Sequence, residues 1–257
     1  MSATVLNNLL CESQYGLTRK QQALIEREKE LLGIAHNVVK KEGFTGLTMD
    51  KVASASAYSK GTVYNHFSSK EDLITALAIM ALSQEMSLFK RAVMFDGNYR
   101  EKLMAVHAAY ALFFRLEPAL ANCILSCRTP TVTEKSSPER LEGLRKLEDE
   151  LLSLCDELVK SCLKTGELSD VSGIHPSSIV FANWAIGFGA NSLYNSAPDS
   201  ECIKRLRSDH PILDSLNLLL DGVGWKPLST DFDYAASWQR VMDEIFPEEF
   251  SLISQSY

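Results

Sequence analysis

The chain has little that would mark it as secreted, membrane-bound or catalytic. Its six cysteines (Cys11, Cys123, Cys127, Cys155, Cys162, Cys202) form no CxxC pair and no zinc-ligand spacing. Neither a disulfide framework nor a metal site is expected, and reduced thiols in a cytoplasmic protein are. The N-terminus has no basic segment leading into an apolar one, and no charge-free run reaches about 18 apolar residues. Secretion, membrane spanning and a membrane partner are therefore not expected. There is no P-loop, no nucleophile elbow and no HExxH. Gly187-Phe188-Gly189 is a fragment of a dinucleotide motif, with no strand pattern before it and no third glycine. His36, His107, His175 and His210 are scattered, so an enzyme or a bound cofactor is not expected. Nowhere do apolar and polar residues alternate between turn signals, which excludes half-buried strands and leaves an all-α chain.

What is present is helical stripes and an uneven charge. The 257 residues are 46% hydrophobic and carry a formal net charge of -7, enough for a sizeable core. From Arg19 to Lys70 there are nine basic and five acidic residues, a local +4 that leaves -11 for the remainder. A basic module on an acidic body fits a local nucleic-acid footprint.

Residues 1–20 show no sustained period and read as a flexible arm. From about Gln21 to Glu42, Leu24, Leu31, Ile34, Ala35, Val38 and Val39 form one stripe, and Gly43 is a C-cap signal. Thr48 and Ser59 are N-cap candidates for two short helices, Met49–Ser56 and Lys60–His66, separated by Ala57-Tyr58. Ser68 with Glu71, and Ser69 with Asp72, are overlapping capping boxes for a long helix from Lys70 to about Phe95. Phe44, Leu47, Val52, Val63 and Phe67 should form the core of this module. The second short helix is otherwise polar, and packing explains it poorly. A face meant for phosphates and base edges explains it well.

The string Tyr58-Ser59-Lys60-Gly61-Thr62-Val63-Tyr64-Asn65-His66-Phe67, followed by Ser69-Lys70-Glu71-Asp72-Leu73, resembles the helix-turn-helix signature of TetR-family transcriptional regulators. Gly43-Phe44, Leu47-Thr48 and Val52-Ala53 fit the same pattern. The resemblance covers roughly residues 24–80 and departs at Ala57, where the family usually has glycine. A left-handed Ala57 would strain the turn. The resemblance implies an N-terminal DNA-binding domain over 21–82 and a helical effector-binding and dimerisation domain over 83–257. It implies DNA contacts at Thr48, Lys60, Gly61, Thr62, Tyr64, Asn65, His66 and Lys70. Thr48 and Tyr64 would hold phosphates through hydroxyls, Lys70 would do so by charge, and Lys60 would read guanine edges.

The later helices are read as Tyr99–Arg115, Pro118–Cys127, Pro138–Lys164, His175–Ser196, Ile212–Asp221 and Asp231–Phe246, with a loop over Thr129–Lys135. The stretch IVFANWAIGFGANSLY is apolar nearly all round, so its outer face is expected to meet another subunit. With the leucine-rich helix that follows, it resembles the paired dimerisation helices of the family. Phe181, Ala185, Gly189, Leu213, Leu216 and Leu220 are the interface expectation. Met104, His107, Tyr110, Phe114, Trp184 and Phe188 are expected to line a mainly apolar effector pocket. The partners implied are double-stranded operator DNA with an inverted repeat, a small apolar effector and a second copy of the chain. The family implies a repressor. The alternative is a helical ligand-binding or interaction protein that has lost DNA binding, with Ala57 as its motive.

Overall fold

The computed structural model describes residues 18–169 and 174–254. Thirteen α-helices and no strand occur among them. The first 17 residues of the expected arm lie outside the described residues.

The chain divides into two compact units. One runs to Gln84 and takes in Ala119–Glu148; the other comprises Glu85–Pro118 and Asp149 onward. The segment 119–148, expected in the body, thus groups with the helix-turn-helix unit. Two helices, α4 (Lys70–Ala92) and α8 (Pro138–Thr165), continue from one unit into the other.

In the first unit, α1 (Arg19–Gly46) starts two residues earlier than its stripe predicts. Thr18 and Gln21 form a reciprocal capping box, so Arg19 and Lys20 stand in a helical turn, not in an arm. Leu31, Ala35 and Val39 are buried, whereas Leu24 is exposed and lies off the core face. Gly43 breaks the helix at φ +69°, a conformation that favours glycine. Thr48 caps α2 (Met49–Ala55) and Ser59 caps α3 (Lys60–His66) through their hydroxyls, as expected. Leu47, Val52, Val63 and Phe67 are fully buried, and Phe44 only half so. The unit also contains α6 (Pro118–Ser126) and α7 (Pro130–Thr133), a short helix where a loop is predicted.

The second unit is built around α5 (Tyr99–Leu116), whose residues from Leu103 to Phe114 are all buried. Its cap is Asn98, boxed with Glu101. Around α5 pack α9 (Pro176–Ser196), α11 (Pro211–Gly222), α12 (Tyr234–Glu244) and α13 (Pro247–Ser254). Between α9 and α11 lies α10 (Glu201–Lys204). Arg100 is fully buried and ties α5 to its neighbours. Its guanidinium pairs with Asp221 at 2.7 Å, donates to the Asn217 side chain and the Pro227 carbonyl, and stacks 4.5 Å from the Tyr234 ring centre. A buried guanidinium is tolerated because it is paired and hydrogen-bonded. By length and composition α4 could cross a membrane. Leu73, Leu77, Ala78 and Ala81 instead bury its apolar side in the protein.

Candidate nucleic-acid interface

The helix-turn-helix begins with how the chain leaves α2. Ser56 is extended, at φ -102° and ψ 164°. Its hydroxyl donates to the Ala53 carbonyl at 3.0 Å and accepts the Tyr58 N–H at 3.2 Å. No non-glycine residue among the described ones has positive φ, so Ala57 is not left-handed and the turn takes a path that suits alanine. Tyr58 is drawn back onto α1, where its hydroxyl donates to Glu30 at 2.6 Å beneath the Arg27 guanidinium.

Helix α3 is anchored from below by Val63 and by Phe67, the residue that ends it. Lys60, Gly61, Tyr64 and Asn65 lie on its exposed side, with Thr62 half-buried beside them. Lys60 is 61% exposed, pairs with Asp50 at 2.5 Å and sits 5.8 Å from the Tyr64 ring centre. A Cβ on Gly61 would meet only the Ser59 hydroxyl, at 3.8 Å. No contact within the chain therefore requires glycine there, although it weakens the helix by about 1 kcal/mol. The Thr62 hydroxyl lies 2.9 Å from that of Ser59. Thr48 is exposed at the start of α2, but its hydroxyl accepts the Lys51 N–H.

Two expected contacts are placed differently. The His66 side chain is only 3% exposed and lies 3.8 Å from Glu28. Burial lowers its pKa against the opposing pull of Glu28. The imidazole is thus turned toward α1 and away from the exposed side of α3. Lys70 is half-buried, and its ammonium donates to the Phe44 carbonyl at 2.8 Å. That bond spends one of its three donors inside the protein. Helical spacing could not reveal either placement, because both depend on where α1 lies.

The start of α4 is held by the expected pair Ser69 and Asp72, joined by residues that the sequence left unassigned: Lys135, Ser136, Ser137 and Arg140. The Ser69 hydroxyl accepts the Asp72 N–H and donates to the Lys135 carbonyl, both at 3.0 Å. The Asp72 carboxylate accepts the N–H groups of Ser68 (3.1 Å) and Ser137 (2.9 Å). Burial pushes the Asp72 pKa up, but these two bonds and the Arg140 charge outweigh it and hold the carboxyl below its usual range. Ser136 and Thr75 share a 2.7 Å hydroxyl contact. Only the Ser-x-x-Asp pattern hinted at this network.

In the second unit the predicted effector residues do come together. Met104, His107, Tyr110 and Phe114 are buried along α5. The rings of Tyr110 and Phe114 lie 5.0 Å apart edge to face, and Phe188 packs 5.8 Å from Phe114. Burial lowers the His107 pKa to about 4, so the ring is neutral. A Cβ on Gly187 would come within 2.9 Å of that imidazole, so glycine there serves packing within the chain. Trp184 instead lies on the outer side of α9, 39% exposed beside Phe181 at 64%.

The expected interface residues divide. Phe181 and Ala185 are exposed and Gly189 is half-exposed. Leu213, Leu216 and Leu220 are buried on the inner side of α11 and are unavailable to a second chain; Leu218, 78% exposed, is the leucine that faces out. An open cleft of about 630 Å³ lies elsewhere in this unit, lined by polar groups including His210, Asp214, Asn217, Asp231 and Asp233. Burial pushes the Cys123 and Cys127 thiols up, Cys127 to about 11, so neither is a reactive thiolate at neutral pH.

Residues 31–77 match the family model described as bacterial regulatory proteins, tetR family. An HTH-type transcriptional regulator of Staphylococcus aureus (strain bovine RF122 / ET3-1) is 29% identical over 101 residues. That stretch is 39% of this chain and 54% of the relative, so the chain spans about half the length of the curated relatives it matches. The transcriptional regulator FadR from Bacillus subtilis, solved with stearoyl-CoA, superposes with a TM-score of 0.58 at 16% identity. The match covers 76% of this chain and 98% of that one. AibR, solved with isovaleryl coenzyme A and operator DNA, superposes with a TM-score of 0.55 at 18% identity, covering 77% and 98%. At such identities the likeness is one of fold.

Proposed function

We propose, from the premise that the N-terminal module of this chain belongs to the TetR family, that the protein is a ligand-responsive transcriptional regulator that binds operator DNA as a homodimer. The observation that carries this reading is the exposed side of α3. Lys60, Gly61, Tyr64 and Asn65 face outward on a seven-residue helix held by Val63 and Phe67, and Gly61 leaves room for a backbone or base edge. On DNA, Lys60 exchanges Asp50 for a base edge, and Tyr64 and Thr48 supply hydroxyls to phosphates. Lys70 contributes charge with its remaining donors. His66 is left off this face.

The effector is a small, largely apolar molecule taken up beside His107, Tyr110 and Phe114. Two fold neighbours were solved with acyl-CoA thioesters, which makes an acyl chain the first ligand class to try. The second copy of the chain docks on the outer side of α9 at Phe181, Trp184 and Ala185, with Leu218 of α11. Effector binding represses or releases only to the extent that it prefers one dimer geometry, and operator must weaken effector by the same factor. The reading in which DNA binding has been lost had Ala57 as its motive, and Ala57 is unstrained.

Selection from a random duplex library tests the DNA assignment. The protein is expected to enrich an inverted repeat. Lys60→Ala is expected to cost about 1–3 kcal/mol at one base position of each half-site and to relax specificity there. Enrichment of no sequence, or a Lys60→Ala variant that reads the same site equally well, overturns the assignment.

A further inference from the structure

The C-terminal end of α3 is held by a residue 74 positions further along the chain. The Arg140 guanidinium donates to the His66 carbonyl at 2.9 Å and to Glu28 of α1 at 2.7 Å. Its Nε lies 3.4 Å from Asp72 in the first turn of α4, and its plane stacks 4.8 Å from the Phe67 ring centre. The side chain is 16% exposed and Asp72 3%. All these groups belong to the first unit.

Each contact has a physical role. The last carbonyls of a helix lack partners and carry its negative end, where a cation is favourable. The planar fork suits several acceptors at once, and an ammonium in its place would satisfy fewer of them. Burial makes loss of one partner costly to the others. One side chain thus fixes α3 against both α1 and α4. Arg140 itself stands in the first turn of α8.

We propose that Arg140 is a positioning residue for DNA reading, which fixes how α3 is presented although it lies outside the helix-turn-helix itself. The proposal rests on the DNA-reading assignment of α3. Arg140 sets the angle at which Lys60 and Tyr64 are presented and touches no DNA itself.

The experiment compares operator and random-duplex affinity for the wild type, Arg140→Lys and Glu28→Gln. The operator is the sequence the wild type enriches, and measurements are made where circular dichroism shows each variant fully folded. Arg140→Lys keeps the net charge, so random-duplex affinity is expected to stay within about twofold of wild type. Its operator-to-random ratio is expected to fall about tenfold, the scale of one charged hydrogen bond. A role confined to stability would lower the melting temperature and leave this ratio unchanged. An unchanged ratio in Arg140→Lys overturns the proposal. Should that variant not fold, Glu28→Gln, which frees only one arm of the fork, is expected to lower the ratio in the same direction by less, and an unchanged ratio there overturns it equally. A wild type that enriches no sequence ends the DNA-reading assignment itself, and the clamp with it.

Discussion

His107 shows how one residue can carry a pH dependence for a whole unit. It is neutral because it is buried among Tyr110, Gly187 and Asn183, and burial holds its pKa at about 4. The unfolded chain binds a proton on this ring near the ordinary imidazole value, about 6.5. Between that pH and about pH 4 the unfolded state therefore holds the extra proton, and stability falls as pH drops through the window. At about 1.4 kcal/mol per pKa unit the full loss is roughly 3 kcal/mol. Urea unfolding at pH 7 and pH 5 checks this. The wild type is expected to lose about 2 kcal/mol more than His107→Gln over that interval. Parallel losses would assign the acid sensitivity to other groups.

At the scale of elements, the turn between α2 and α3 is the informative piece. The family pattern has glycine where this chain has Ala57, and a left-handed alanine would be relieved by glycine. The turn instead closes through the Ser56 hydroxyl, with no positive φ outside glycine among the described residues. Glycine would then add only freedom to the unfolded chain. Ala57→Gly is expected to lower stability by about 0.5–1 kcal/mol, read as a drop in melting temperature; a rise would mean the alanine is strained after all. The two faces of α9 make a related point. Gly187 is required by His107 on the inner face, while Gly189 meets nothing within 4 Å. Two glycines two residues apart thus stand about 200° apart around the helix, and only Gly187 is required by a contact within the chain.

For the whole molecule, assembly is the question with the clearest physical handle. Phe181 and Leu218 are the most exposed large apolar residues of α9 and α11. Two operator half-sites can be read together only by two recognition helices held about 34–36 Å apart or a multiple of it. Leu218→Arg is expected to leave the fold of one chain intact, since the residue is 78% exposed. It should yield monomers in sedimentation and lose tight binding to an inverted repeat while keeping weak binding to random duplex. A variant that stays dimeric would place the interface elsewhere. The uneven charge also belongs to this scale. The net -7 with a local +4 favours binding through one module, and high salt should weaken it steeply.

The all-α class, both short helices and their caps were determined by the sequence alone, because hydrophobic period and capping are local properties of neighbouring residues. Thr48, Ser59 and the anchors Val63 and Phe67 were legible for that reason, as was the exposed set Lys60, Gly61 and Tyr64. Only the tertiary structure decided which leucines of α11 face inward, since Leu213, Leu216 and Leu220 form one stripe whether it meets α5 or a second chain. It also decided that His66 and Lys70 spend their polar groups on α1, that Ser136 and Ser137 bond to side-chain and carbonyl groups in the first turns of α4, and that Arg140 grips the end of α3. Those contacts join residues about 26 to 112 positions apart. Spacing along the chain cannot report them, because they exist only once separate helices have packed and their unpaired backbone groups have found partners.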